Sequence, residues 1–250
     1  MEWHFLNLLI LQKKIQHRHQ EQKLEAVTPE EDWINEWASN AGKFSKDSMQ
    51  KLWGAILAGK MYNPDGYSFQ TMDIIRKMSD ADANLFVKLC SIQISKSVLT
   101  RFELWENFLS WSEIFQLTDL GLIDSNSVTT QVHVDSKDCS VRNLNSAKLI
   151  TFGGITNSLV FIYSTEVDDM LRHQGCFRLT KPGIDLLDLI SQMDDSIQTN
   201  IDYLKELGTA LRIEIGIDKC GFAITDRELS VIFTEGLEIN SQTGETSIIP

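Results

Sequence analysis

Ser45 to Cys90 reads S-K-D-S-M-Q-K-L-W-G-A-I-L-A-G-K-M-Y-N-P-D-G-Y-S-F-Q-T-M-D-I-I-R-K-M-S-D-A-D-A-N-L-F-V-K-L-C. Three helix starts follow one another in this stretch. Ser45, Ser68 and Ser79 are each placed to accept a hydrogen bond from the first turn of a helix. Asp47, Asp80 and Asp82 then fall where the positive end of a helix favours a carboxylate. The first helix carries Met49, Leu52, Trp53, Ile56 and Leu57 as an apolar stripe, the second Met72, Ile75 and Met78, and the third Leu85, Phe86 and Leu89. Asn63-Pro64-Asp65-Gly66 is the turn between the first two. Gly54 and Gly59 would each cost about 1 kcal/mol inside a helix, so both are read as places where a neighbour comes close. Short connections between amphipathic helices specify a helical bundle.

Upstream, Thr28-Pro29-Glu30-Glu31 has the pattern of a capping box with proline in the first turn. Trp33, Ile34, Trp37, Ala38 and Ala41 then share a face. Met1 to Val27 contains no Gly or Pro, and Trp3, Leu6, Ile10 and Ile15 recur at helical spacing. One helix is expected there. Its apolar face, Trp3, Leu6, Ile10 and Ile15, is the candidate interface with a protein partner or a second copy; docking on its own domain is the alternative. The apolar run Phe5 to Leu11 is far shorter than the roughly 20 residues of a membrane span, and it lacks the flanks of a signal peptide. The expected location is the cytoplasm.

Downstream, Val98 to Leu120 is expected to be one helix, with Phe102, Trp105, Leu109, Ile114 and Leu117 inward and Gly121 at its end. Val128 to Val134, Lys148 to Phe152, Leu159 to Tyr163 and Phe177 to Leu179 are strand-like. Thr180 caps a helix through Ile190, Asp194 to Leu211 is a further helix, and strand-like pieces follow Gly216. The fold class is therefore α+β: a helical N-terminal bundle, then a part with a small antiparallel sheet. The divisions are 1–27, an N-terminal helix; 28–97, a helical bundle; 98–215, an α+β domain; and 216–250, a C-terminal tail.

Two resemblances accompany this reading. Asp32-Trp33, Trp37, Ala41, Met49-Gln50, Leu52-Trp53, Ile56-Leu57-Ala58-Gly59, Pro64, Gly66, Ser68-Phe69, Thr71-Met72, Ala83 and Phe86 resemble the motif of a bacterial family of unknown function. Two positions depart from it. Lys60 stands where an acidic residue is usual, and Asp65 is inserted between Pro64 and Gly66. The neighbourhood of such genes, beside phage-defence or mobile-element genes, implies a defence-related role. Leu117-x-x-Leu120-Gly121-Leu122-Ile123, followed by strands and Leu179-Thr180-x-x-Gly183-x-x-Leu186, looks like the helix-wing-helix frame of winged-helix domains. The region between, Asp124 to Cys176, is much longer than a usual wing.

The bulk numbers narrow the function classes. The chain has 250 residues, 42% hydrophobic and 23% charged, and a net charge of -12. That is a globular composition able to bury a core, and its sign repels phosphate backbones. The helix that would enter a DNA groove, Leu109 to Leu120, has Glu113 and Asp119 and no Lys or Arg, so duplex DNA is not the expected partner. The four cysteines, at Cys90, Cys139, Cys176 and Cys220, form no C-x-x-C pair and are read as reduced thiols. No phosphate loop, dinucleotide fingerprint, zinc-protease motif or nucleophile elbow occurs. His17 and His19 do not share a helix face. Asp168-Asp169, Asp185, Asp188 and Asp194-Asp195 read as solvated acidic positions, and His133 and His173 have no nucleophile beside them. No cofactor and no metal is expected. The leading expectation is a non-enzymatic interaction or regulatory protein of a phage-defence system. A hydrolase or nuclease built from scattered carboxylates and a histidine is one alternative; a winged-helix DNA-binding regulator is another.

Overall fold

The computed structural model describes residues 2–4, 27–43, 47–94, 97–99, 101–129, 140–143, 147–164, 176–193, 198–228, 230–239 and 245–248. The order is β1 (Glu2–His4), α1 (Glu31–Ala41), α2 (Asp47–Tyr62), α3 (Phe69–Lys77), α4 (Asp80–Ile92), β2 (Ser97–Leu99), a 3-10 helix (Arg101–Asn107), α5 (Trp111–Asp119), α6 (Ser125–Thr129) and β3 (Ser140–Asn143). β4 (Ala147–Gly153), β5 (Ser158–Ser164), β6 (Cys176–Arg178), α7 (Lys181–Met193), α8 (Ile201–Ile215), β7 (Cys220–Thr225), β8 (Val231–Glu235), β9 (Leu237–Ile239) and β10 (Glu245–Ile248) complete it. The protein is α+β, with helices first and antiparallel sheet after them.

Helices α1 to α4 follow the apolar stripes. Ser68 caps α3 by accepting from the Thr71 N–H, and Ser79 with Asp82 forms a full capping box on α4. The two tryptophans of the D-W motif also act as donors. Trp33 Nε1–H donates to the Tyr67 carbonyl at 2.6 Å, and Trp37 Nε1–H donates to the Trp53 carbonyl at 2.8 Å. They fasten α1 to α2 and to the turn before α3. The expected cap at Thr28 is not formed: α1 starts at Glu31, and its N-cap position, Glu30, makes no side-chain cap.

Lys60 holds the turn between α2 and α3. Its Nζ donates to the carbonyls of Pro64 at 2.5 Å and Gly66 at 3.0 Å, with its charge 5.6 Å from the Trp33 ring centre. Carbonyl oxygens accept from a cation, whereas an acidic side chain there would repel them.

The frame around Gly121 has the expected connections. Gly121 sits at φ +79, Ile123 bridges antiparallel to Leu179, and β2 pairs with β6. Thr180 Oγ1 donates to the Gly121 carbonyl at 2.5 Å and accepts from the Gly183 N–H at 3.2 Å, which joins the end of α5 to the start of α7. Gly183 has to be glycine, because a Cβ there would lie 2.3 Å from the Leu122 carbonyl oxygen.

Four expectations are corrected. Val98 to Leu120 is not one helix but β2, the 3-10 helix and α5, because Ser110 and Glu113 form a capping box that starts a new helix at Trp111. Val128 lies in the short helix α6, and residues 130–134 fall outside the described residues. The long wing is no simple hairpin: β3, β4 and β5 join β7 and β8 in a five-stranded antiparallel sheet of order β3-β4-β5-β7-β8. In this sheet β7 is an interior strand. Finally, Trp3 lies in a strand, Glu2–His4, paired with β10 rather than in a helix; Leu6, Ile10 and Ile15 lie outside the described residues.

Helix α8 covers one face of the five-stranded sheet. Phe152, Phe161, Phe222 and Phe233 form successive ring contacts across β4, β5, β7 and β8. Gly208 of α8 lets the Phe222 ring approach to where a Cβ would meet it at 2.4 Å.

The two glycines of α2 turn out differently. A Cβ at Gly59 would meet the Tyr67 ring at 2.4 Å, whereas Gly54 has nothing within 4 Å. Gly59→Ala is expected to destabilise by about 1–3 kcal/mol through overpacking, and Gly54→Ala to stabilise by up to about 1 kcal/mol through helix propensity. Urea midpoints of the two variants, moving in opposite directions, check this.

Candidate interaction surface

A buried carboxylate ties the helical module to α7. Asp185 of α7 is 2% exposed. Its Oδ2 accepts from the Tyr67 N–H at 2.8 Å and from Thr71 Oγ1 at 3.0 Å, and its Oδ1 accepts from Lys181 Nζ at 2.6 Å. Tyr67 sits at φ +52, in the left-handed region that costs a non-glycine residue about 1–2 kcal/mol. Its N–H and its carbonyl are held from opposite sides by Asp185 and Trp33. Burial, with the charges of Asp188 and Asp185, pushes the Tyr67 phenol up to about 12. Asp185 was expected on a solvated face. It is instead an anchor, while Asp188 is exposed. The two do not form a paired site.

Beside this junction an apolar groove of about 190 Å³ opens between α2, α3, α4 and α7. Leu52, Ile75, Phe86, Leu186 and Ile190 form its walls, with Ser79 and Asp80 at one end.

On the other side of α4 lies α5, the helix that would face outward in a winged-helix frame. Glu113 accepts from Lys88 Nζ at 2.8 Å and from the Ser110 N–H at 2.7 Å. Gln116 donates to Asp82 at 2.6 Å. The Lys88 bond, with help from Ser110, holds the Glu113 carboxyl down at about 2. Asp82 is lowered chiefly by the Ser79 N–H. These contacts fix α5 to α4 along its inner side.

The outer side of α5 carries Trp111 and Phe115, 47% and 52% exposed. Trp111 lies outward, whereas Trp33, Trp53 and Trp105 are buried. The capping box of Ser110 and Glu113 starts α5 at Trp111, and with Ile114 and Leu117 turned inward Trp111 falls off the buried face. The S-x-x-E spacing at Ser110 and Glu113 was the sequence signal for this. Trp111 does not stand alone. It makes edge contacts with the buried Trp105, ring centres 4.9 Å apart, and with Phe177 at 5.9 Å, and it lies 5.9 Å from Phe115. A rigid aromatic base thus presents two half-exposed rings. Aromatic side chains bury about 150–250 Å² each, so covering the remaining halves offers roughly 200 Å², or at most about 5 kcal/mol at ~25 cal/mol per Å².

The remaining chemistry-bearing positions do not gather. Among the described residues no group of three or more His, Cys, Asp or Glu could hold a metal ion. His17, His19, His133, His173, Asp168, Asp169, Asp194 and Asp195 lie outside the described residues. Cys90, Cys176 and Cys220 are buried and outside any disulfide, with Cys90 and Cys220 pushed up by burial. No described helix is long and apolar enough to cross a membrane.

Residues 10–108 match the profile of a family described as protein of unknown function (DUF2806). The match covers α1 to α4 and runs past β2 into the 3-10 helix, and the chain is similar to that family over this part. No curated protein matches the chain, and no solved structure does.

Two outcomes are expected. Asp185→Ala leaves the Tyr67 N–H and the Thr71 hydroxyl buried without their acceptor, and should lower stability by about 2–4 kcal/mol, read from urea denaturation. Glu113 is the second case. Its pKa is lowered in the folded state, so its contribution is complete above the unfolded carboxylate range near 4.3 and is lost as pH falls toward about 2. Glu113→Gln should therefore be less stable than the parent at pH 7, and the difference should shrink between pH 5 and pH 2 in urea melts.

Proposed function

We propose that the protein is a non-enzymatic interaction or regulatory protein, and that α5 is its contact surface. One observation carries this reading: Trp111 and Phe115 stand half-exposed on a buried aromatic base, on a helix otherwise fixed by polar contacts to α4. Half-exposed aromatic anchors on a rigid support are what binding hot spots are made of. A catalytic helix would need a nucleophile or acid–base group at the same place, and W-S-E-I-F-Q-L-T-D offers its one inner carboxylate, Glu113, already engaged. Duplex DNA is not the proposed partner, because α5 has no Lys or Arg with which to neutralise a phosphate. The proposed setting, a bacterial phage-defence system, rests on the motif resemblance of the helical module.

Paired alanine substitutions test the reading. Trp111→Ala with Phe115→Ala removes the half-exposed rings and leaves the Ser110–Glu113 cap in place. The doubly substituted protein is expected to keep its far-ultraviolet dichroism, to lose no more than about 2 kcal/mol of stability, and to lose its native partners in crosslinking of cell extract compared with the parent. Identical crosslinked species for parent and variant would remove α5 from consideration.

A further inference from the structure

We infer that the partner seated on α5 is a cationic, amphipathic protein segment, one that places apolar side chains on Trp111 and Phe115 and a Lys or Arg on Asp119. This inference rests on the reading of α5 as a contact surface and adds the chemistry of what it contacts.

Three observations lead to it. First, Trp111, Phe115 and Asp119 are spaced i, i+4 and i+8 on one helix, so they form a single row of two rings and a carboxylate. Asp119 is exposed, as is Glu106 of the preceding 3-10 helix. Second, α5 contains no cation, and Lys88, the cation that reaches it from α4, is held by Glu113 at 2.8 Å. The outward row is thus apolar at one end and negative at the other. Third, the chain as a whole carries -12. A second copy would bring like charge to the row and is disfavoured; a basic segment is attracted from a distance and then meets a matching contact. An Arg in such a segment has a further option, since its guanidinium can lie over the exposed Trp111 ring.

The spacing suits a partner helix. Apolar residues three or four apart on the partner can follow the Trp111–Phe115 step, and a basic residue one turn further on can reach Asp119. Nucleic acid fits poorly, because its phosphates would approach Asp119 and find no cation on α5.

The test uses the full chain and a labelled synthetic peptide of Leu and Arg patterned as an amphipathic helix. A matched peptide with every Arg replaced by Glu serves as the control. Anisotropy is read at about 50 mM salt, where charge contributes most, and again at about 500 mM. The expected result has four parts. The cationic peptide binds and weakens with salt. Its affinity falls by about tenfold or more in Trp111→Ala/Phe115→Ala. It falls by several-fold in Asp119→Asn, a surface change that leaves the fold intact. The Glu peptide does not bind. If both peptides bind equally and both are lost in the alanine pair, α5 remains a contact surface but the charge assignment is overturned. Cationic binding untouched by the alanine pair and by Asp119→Asn overturns the inference. So does a mixed-sequence duplex that binds more tightly than the peptide and is lost in the alanine pair.

Discussion

The carboxylate of Asp185 locks helix α7 onto the turn between α2 and α3. A buried charge is costly unless each of its oxygens is satisfied, and here three donors converge on it from α7 itself and from the start of α3. The contact also fixes a backbone. Tyr67 is held in a left-handed conformation because its N–H has Asp185 to meet on one side and its carbonyl has Trp33 on the other. The ring that this conformation directs inward fits because residue 59 is glycine. Trp33, Gly59, Ser68 and Thr71, scattered along the helical module, thus act on one locus. They build the socket for a side chain that the module does not supply.

That dependence also explains which parts were legible in the sequence. The α1–α4 helices, the caps at Ser68 and Ser79, the bridge frame around Gly121 and the strands β4, β5, β7 and β8 follow from local patterns: stripes, caps, and runs of β-branched and aromatic residues. Asp185 was not legible. Its helical position, three residues before Asp188, looks like a solvated acidic face until the distant Tyr67 and Thr71 are brought to it. The same limit applies to Cys220–Thr225. A six-residue apolar run shows that a strand exists but not that it lies between β5 and β8, because pairing partners are not written in periodicity.

The contact surface was misread for a different reason. Trp111 is a large apolar residue in an apolar stretch, and size and apolarity alone would place it inside. Helical spacing, about 100° per residue, places it elsewhere. With Ile114 and Leu117 turned to the core, Trp111 and Phe115 fall off the buried face. The capping box of Ser110 and Glu113, worth about 1 kcal/mol, fixes where α5 starts. The N-terminal segment carries a similar lesson, since helical spacing from Trp3 onward did not prevent Glu2–His4 from pairing with a strand near the other end of the chain.

The inserted sheet bears on how the chain is made. Ile123 and Leu179 close the frame around Gly121, but β3, β4 and β5 lie between them in sequence, and β5 needs β7, which follows α7 and α8. The two structures are nested, so neither is complete when the other's first half leaves the ribosome. During synthesis, β5 emerges with an unpaired edge of Leu159, Val160, Phe161 and Ile162, and it keeps that edge until Cys220 to Thr225 has been added. An exposed apolar edge of this kind is a site for wrong pairing. The α4–α5 clamp and the buried ring base are assembled earlier. The nascent chain therefore completes α5 before it has hidden its β5 edge, and chaperone dependence should track the translation of the final quarter of the sequence.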